Sequence, residues 1–342
     1  MLISVGLTLV ILATAMVALN DGVRMFGTAQ TVSNMRHNSR NGLNLMTRDL
    51  IQTGQGIPTG GIPIPSGAGV TPIVRPGPGV LAYPAGTVVL PALTPGQALG
   101  PVVNGRVTDI VSLLYADQTL DLDEFPLTGI AADGSTMTVD VATSLTDADN
   151  GISIGDLILF SNPFGHAIQQ VTSLVSARTV AFDPTDSMNL NQRTAPAGTI
   201  IQLQDVPGSF PTTTARRIWM VTYYVGDTDT NAPKKRKRSK KAAPLDVTDA
   251  PKLMRVVNNG TARPVALDVE DVQFTFDLVD GYANPAGVDT TPVGNSPAQI
   301  RKVNLTLATR SRTPNQTTGT YQYQTLTAQV ALRSLSFLDR FQ

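Results

Sequence analysis

The chain has 342 residues, which is long enough to bury a large core. Hydrophobic residues make up 42% of it, which excludes an intrinsically disordered protein. It contains no cysteine, which excludes disulfides, thiolate metal sites, iron–sulfur clusters and a cysteine nucleophile. Acidic and basic residues balance at 26 each, but seven basic residues lie within positions 234–241; the remaining 19 give a net charge of −7, which argues against a general nucleic-acid-binding surface.

Residues 1–19 form an uncharged apolar segment, and Asp21 is the first charged residue. About 20 apolar residues match the length of a helix that crosses a bilayer. The alternative is a cleaved secretory signal, since residues 13–15 resemble a cleavage site, but the run is long for a signal and no Lys or Arg precedes it. We therefore predict a membrane and assembly helix whose apolar surface includes Leu2, Ile3, Val5, Leu9, Ile11, Leu12 and Val17.

Residues 20–53 contain no proline and continue the helix with an amphipathic pattern. Glycines and a proline at residues 54–58 predict its end. The pattern indicates one unbroken helix of about 54 residues, near 80 Å at ~1.5 Å per residue; an anchor followed by a separate stalk helix is the alternative. The apolar stripe of the second half is predicted to pack on a sheet through Met35, Leu43, Met46 and Leu50.

The remainder of the chain is predicted to be β-rich and to divide into three regions. Residues 56–105 are rich in Gly and Pro, which disfavour central strands and long helices and predict a surface loop region. Residues 106–206 contain short alternating runs bounded by turn residues, which predict a small β-barrel-like insertion. Residues 207–342 contain longer runs and predict an antiparallel sheet.

The strand pattern is clearest at residues 303–308, where odd positions are apolar and even positions are polar or small. One face of this strand should therefore be buried and the other solvated. An amphipathic helix is marginal alone in water, and a one-sided sheet needs a cover. The predicted fold is α+β: a long N-terminal helix, residues 1–55, packed on an antiparallel sheet with the β-rich insertion.

The chain resembles the type IV pilin family, in particular the PilW-like branch of minor pilins. The resemblance begins with the apolar helix and with NSRNGLNLMTRDL at residues 38–50. It continues, in the family's order, with RRIWMVTYYV at 216–225, PKLMRV at 251–256, VEDVQFTF at 269–276, IRKVNLTL at 300–307 and TAQVALR at 327–333. The order of these segments is more specific than any one of them.

The family begins with a short basic leader and a Gly-Phe-Thr/Ser-Leu-Ile-Glu motif ahead of the apolar helix. The opening residues 1–6 resemble what normally follows that glutamate. We therefore expect Met1 to be an internal methionine or the start of a trimmed chain. The resemblance implies that, without the motif, the prepilin peptidase would have no cleavage site and the glutamate that pairs with a neighbouring subunit's N-terminus would be lost.

The resemblance implies a structural subunit rather than an enzyme, with no cofactor, no metal and no catalytic residues. It implies a minor pilin that primes or caps a type IV pilus, with other pilin subunits, the inner-membrane assembly platform and the lipid bilayer as partners. The implied location is the bacterial inner membrane, as a single-pass protein with a periplasmic head, and then a pilus or pseudopilus at the cell surface. Type II secretion pseudopilins share this layout and are the alternative.

A basic run at residues 234–241 interrupts the predicted sheet. We interpret it as a solvated loop whose like charges repel one another. Binding of a single nucleic acid strand would favour aromatic residues between the basic ones, and this run has none. The alternative is a membrane-tethered adhesin or DNA-binding protein. Its polyanion-binding site would then consist of Lys234, Lys235, Arg236, Lys237, Arg238, Lys240 and Lys241.

The other motifs do not predict a catalytic or metal-binding site. His37 and His166 are far apart in sequence and lack a serine-containing elbow, so neither is expected to be catalytic. Residues 147–151 with Asp156 depart from the spacing of a calcium-binding EF-hand and predict an Asx-type turn. Trp219 is expected to anchor the core of the first long strand of the C-terminal sheet.

Overall fold

The computed structural model describes residues 2–118, 120, 127–140, 145–146, 151–226, 251–279, 297–312, 314–315 and 319–336. It begins with helix α1, Leu2–Gln52, which runs for 51 residues without a break and confirms the predicted long helix. Gly54 follows with a φ of +83° and donates its N–H to the carbonyl of Leu114 at 2.8 Å. A glycine therefore both allows the chain to leave the helix and ties the helix end to a strand.

Short hairpins follow in the Gly- and Pro-rich region. Their strands are two to four residues long: β1 (Ile62–Pro63), β2 (Val74–Arg75), β3 (Leu81–Ala82), β4 (Val89–Leu90), β5 (Leu93–Gly96), β6 (Val102–Val103) and β7 (Arg106–Val107). β1 pairs with β4, β2 with β3 and β6 with β7, whereas β5 joins a larger sheet. Frequent proline keeps these strands short because each proline removes a backbone donor.

The later strands are mostly longer. They are β8 (Ile110–Ala116), β9 (Leu127–Ile130), β10 (Thr136–Val139), β11 (Leu157–Asn162), β12 (Gly165–Gln170), β13 (Ser173–Leu174), β14 (Thr179–Ala181), β15 (Thr214–Gly226), β16 (Lys252–Val257), β17 (Arg263–Leu267), β18 (Val269–Leu278), β19 (Ile300–Arg310) and β20 (Tyr323–Ala331). A short helix α2, Arg333–Ser336, follows β20, and single 3-10 turns occupy Ile200–Leu203 and Pro297–Gln299. The named strands pair antiparallel, which confirms the α+β class.

β15 is the strand around which the largest sheet is built. Ile218 of β15 pairs with Ala116 of β8 and with Leu157 of β11, so these two strands lie along opposite edges of β15. Further along, β16 pairs with β15, and the sheet is extended by β12 beyond β11, β17 beyond β16 and β5 beyond β8. Strands from the insertion and from the C-terminal region therefore share one sheet.

The predicted barrel-like character of the insertion is wrong. Within the described residues, a four-stranded sheet with the order β13-β14-β10-β9 remains open. Closure of a sheet into a barrel requires tilted strands with a consistent stagger, and these strands have only two to four residues each. The open sheet instead covers an apolar cluster in which the rings of Phe160 and Phe182 meet edge to face at 5.6 Å.

β18, β19 and β20 form a three-stranded sheet with one apolar face. Residues 303, 305 and 307 of β19 are buried, whereas 304, 306 and 308 are partly exposed, which confirms the predicted alternation. The register aligns Phe274 of β18, Leu305 of β19 and Ala328 of β20. Because the side-chain period is two, this register directs the apolar residues of the three strands to one face.

The helix and the two sheets share one core. Met46 and Leu50 of α1 belong to the same buried cluster as apolar side chains of β8, β15, β18 and β19. Gly42 marks a close approach between α1 and β17, because a Cβ atom at this position would lie 2.8 Å from the Cβ of Ala266. The packed part of α1 therefore depends on a glycine as well as on apolar side chains.

Gly42→Ala is expected to lower the free energy of unfolding. Alanine raises helix propensity by about 1 kcal/mol, but the overlap of the added methyl group with Ala266 and with Leu253, which would lie 3.3 Å from it, should cost about 1–3 kcal/mol. The matched control is Gly27→Ala in the same helix, where no heavy atom lies within 4 Å of the added methyl. Thermal unfolding of the full chain in detergent checks the prediction, and equal melting temperatures for both variants would contradict it.

Candidate functional site

The first half of α1 exposes an apolar surface. We call residues 5–26 the apolar arm. Five predicted side chains of this arm are between 56% and 62% exposed: Val5, Leu9, Ile11, Leu12 and Val17. The side chains of Leu2 and Ile3 lie outside the part of the structure that is described. In that part of the chain, α1 is the one helix long and apolar enough to cross a membrane.

The second half of α1 is packed against the sheets. We call residues 35–52 the packed segment. The predicted residues Met35, Met46 and Leu50 are buried, and Leu43 is partly buried against the same core. Three further positions complete this stripe at helical spacing although sequence reasoning did not select them: Ser39, Gly42 and Asp49.

Asp49 is the centre of a buried polar cluster that joins the helix to the large sheet. Its Oδ2 accepts hydrogen bonds from Tyr223 Oη at 2.6 Å and from Arg255 Nε at 2.7 Å. Its Oδ1 accepts a longer hydrogen bond from Tyr115 Oη at 3.3 Å. These partners stand on β15, β16 and β8. One helical carboxylate therefore contacts three strands, and we call these four residues the Asp49 cluster.

The surroundings of the two tyrosines and of Arg255 in this cluster determine their charge states. Burial, reinforced by the charge of Asp49, raises the pKa of Tyr115 to about 12, and the same two causes raise the pKa of Tyr223 further. Burial acts to lower the pKa of Arg255, but its hydrogen bond and ion pair with Asp49 leave that pKa above its usual value. At neutral pH both tyrosines therefore remain neutral donors and Arg255 remains a cation.

A second ionic cluster supports the sheet beside this joint. Arg217 of β15 forms an ion pair with Asp117, another with Asp156 at 3.3 Å, and a hydrogen bond to the carbonyl of Gly151 at 2.6 Å. Its guanidinium carbon lies 4.9 Å from the ring centroid of Trp219, which is partly buried against the main core. These contacts hold β15 to the residues that follow β8 on one side and to those that precede β11 on the other.

The remaining sequence candidates do not gather into one site. His37 is exposed on α1, and His166 on β12 lies 2.8 Å from the hydroxyl of Ser161 with its pKa lowered by burial. The described residues contain no group of three His, Cys, Asp or Glu side chains that could hold a metal ion. The candidate turn at residues 147–150 and the basic run at 234–241 both lie outside the described residues.

Comparisons of this chain with protein-family models, with curated proteins and with solved structures found no match. Its function is therefore inferred from the sequence and from the geometry of α1 and its joint with the sheets.

Asp49→Ala is expected to lower the free energy of unfolding by about 3–5 kcal/mol, because it leaves Arg255 and two buried hydroxyls without their acceptor. The matched control is Asp277→Ala. Asp277 also pairs with a cation, Lys302 at 2.6 Å, but this pair is partly exposed and should contribute less than about 1 kcal/mol. Urea unfolding of the full chain in detergent measures both, and equal losses would contradict a special role for Asp49.

The raised pKa of Tyr115 predicts a loss of stability at high pH. Tyrosine in the unfolded chain ionises near pH ~10, whereas folded Tyr115 ionises at about 12. Between pH ~10 and ~12 only the unfolded state releases the proton of Tyr115. Ionisation of this residue should therefore lower the free energy of unfolding by up to about 1.4 kcal/mol per pH unit. Urea unfolding of wild type and of Tyr115→Phe from pH 8 to 12 tests this; the variant should show the shallower decline, and identical slopes would refute the assignment.

Proposed function

We propose that the chain is a structural subunit of a bacterial fibre, a minor pilin of the type IV pilus class, anchored in the inner membrane before assembly. The observation that carries the proposal is the division of one unbroken helix into an exposed apolar arm and a packed segment. A lone membrane anchor does not require a helix that continues without a break into a folded head. In a subunit that inserts its helix among those of its neighbours, such a continuous helix links the inserted part directly to the head.

The packed segment supports this proposal because it makes the arm a rigid extension of the head. The Asp49 cluster and the buried stripe hold the helix on three strands, so a force applied to the head is transmitted to the arm. The arm can then exchange contacts with lipid for contacts with other apolar helices. Both environments are apolar, so the exchange is close to neutral in free energy and an external motor can drive it.

A site-specific photo-cross-linker at Leu9 tests the proposal. In fibres sheared from the cell surface, the probe should link to the apolar N-terminal helix of another subunit, identified by mass spectrometry. In isolated membranes it should link mainly to lipid. The matched control is the same probe at Val80, which is 96% exposed but lies in the head, and it should not link to an apolar helix in either fraction.

The outcomes separate the possible assemblies. Linkage to subunits of a surface fibre supports a pilus, whereas linkage to secretion subunits with no surface fibre assigns the chain to a pseudopilus. If the chain is absent from every fibre fraction and the Leu9 probe links only to lipid, the chain is a plain membrane-anchored protein and the proposal fails.

A further inference from the structure

A stripe on the apolar arm carries a single acidic group. Val17, Asp21 and Met25 follow one another at intervals of four residues and so lie on one face of α1. All three are exposed, Val17 to 61% and Met25 to 75%. Asp21 is also the one acidic residue in the first 48 positions of the chain. A carboxylate on an apolar surface is costly to bury unless the surface that covers it offers a cation.

A groove beside the packed segment has the complementary chemistry. It consists of two hollows beside α1 that both have Leu45 in their lining. One, of about 590 Å³, lies against the hairpin of β16 and β17, and the other, of about 530 Å³, lies against β8 and β15. Its partly buried apolar lining includes Leu45, Val257 and Val265. Each hollow has one exposed arginine in its lining: Arg263 in the first and Arg48 in the second.

These arginines differ from Arg255, which also lines the groove. Arg255 is held by Asp49 at 2.7 Å and is only 25% exposed, so its charge is already compensated. Arg48 and Arg263 carry no ion pair with another described residue. The two carboxylates that line the groove, Asp49 and Asp117, are already in ion pairs. The groove therefore presents apolar side chains and two arginines without an ion pair to a described residue, which suits a stripe of two apolar residues around one carboxylate.

We propose that the Val17–Asp21–Met25 stripe of a second copy of this chain docks in this groove, with Asp21 between Arg48 and Arg263. The inference rests on the proposed function and deepens it, because it specifies how two subunits are set relative to each other. If Asp21 of one copy lies beside residues 45–48 of the next, the two parallel helices are offset along their axes by about 25 residues. This offset is near 38 Å at ~1.5 Å per residue. This stagger lifts one apolar arm clear of the level that the other occupies in a bilayer.

The test uses the full chain in mild detergent, where no bilayer holds the helices at one level. The chain has no native cysteine, so Met25→Cys combined with Thr261→Cys reports contact between the stripe and the rim of the groove. Within one chain the straight helix separates these positions by far more than the ~7 Å limit for a disulfide. Oxidation should therefore produce linked dimers and longer ladders. Met25→Cys with Val80→Cys is the matched control.

Charge reversal identifies the pairing. In the Met25→Cys, Thr261→Cys background, Asp21→Arg should reduce the yield of linked chains about tenfold or more, since like charges then meet in the groove. Adding Arg263→Asp should restore the yield at least in part. Adding Arg40→Asp, an exposed arginine on α1 that does not line the groove, should not.

Three results would overturn the inference: cross-linking no greater than in the Val80 control, no loss with Asp21→Arg, or equal recovery with Arg40→Asp, which would indicate a general charge effect. A soluble anion or lipid headgroup as the true occupant would show as binding of phosphate or anionic lipid without linked chains. None of these results requires the Leu9 probe to fail in fibres, so loss of this register and loss of the proposed function are distinguishable.

Discussion

The contact between the packed segment of α1 and the two sheets is the constraint on which the structure depends. A single amphipathic helix has little stability in water, and the apolar faces of the two sheets would be solvated without a cover. The Asp49 cluster adds direction to this apolar contact, because its hydrogen bonds are made only when α1 has one rotation and one axial position on the sheet. Gly42 sets the separation of helix and sheet, because it allows the helix backbone to approach β17 closely.

β15 connects this joint to the rest of the head. Its C-terminal half carries Tyr223, a partner of Asp49, while its N-terminal half pairs with β11. The insertion is therefore joined to the rest of the head at this point by backbone hydrogen bonds between β11 and β15, the strand that also contributes to the joint. The Arg217 cluster reinforces the same crossing of strands. Displacement of α1 would disturb a strand that also supports the insertion.

The sequence predicted the elements that have a local periodicity but not the contacts between residues far apart in the chain. The long helix, its end near Gly54, its buried stripe and the alternation of β19 follow from local spacing, and the structure has them. The Asp49 cluster could not be predicted, because its partners are 66, 174 and 206 residues away. The one available signal was that Asp49, beside Leu50, is the charged residue on the buried stripe. The barrel was wrong because short alternating runs indicate strands but not whether their sheet closes.

Under the proposed function, the division of α1 also separates the residues that stabilise the head from those that make contacts in the assembly. Apolar and polar contacts that hold the head together involve the packed segment, whereas the exposed side chains of the apolar arm contribute nothing to the core. Under the proposed function, the arm would pass from lipid to a protein environment without loss of the contacts that stabilise the head. In this arrangement a substitution in the arm should change where the chain resides and what it touches, while a substitution in the Asp49 cluster should change whether the head remains folded around the helix.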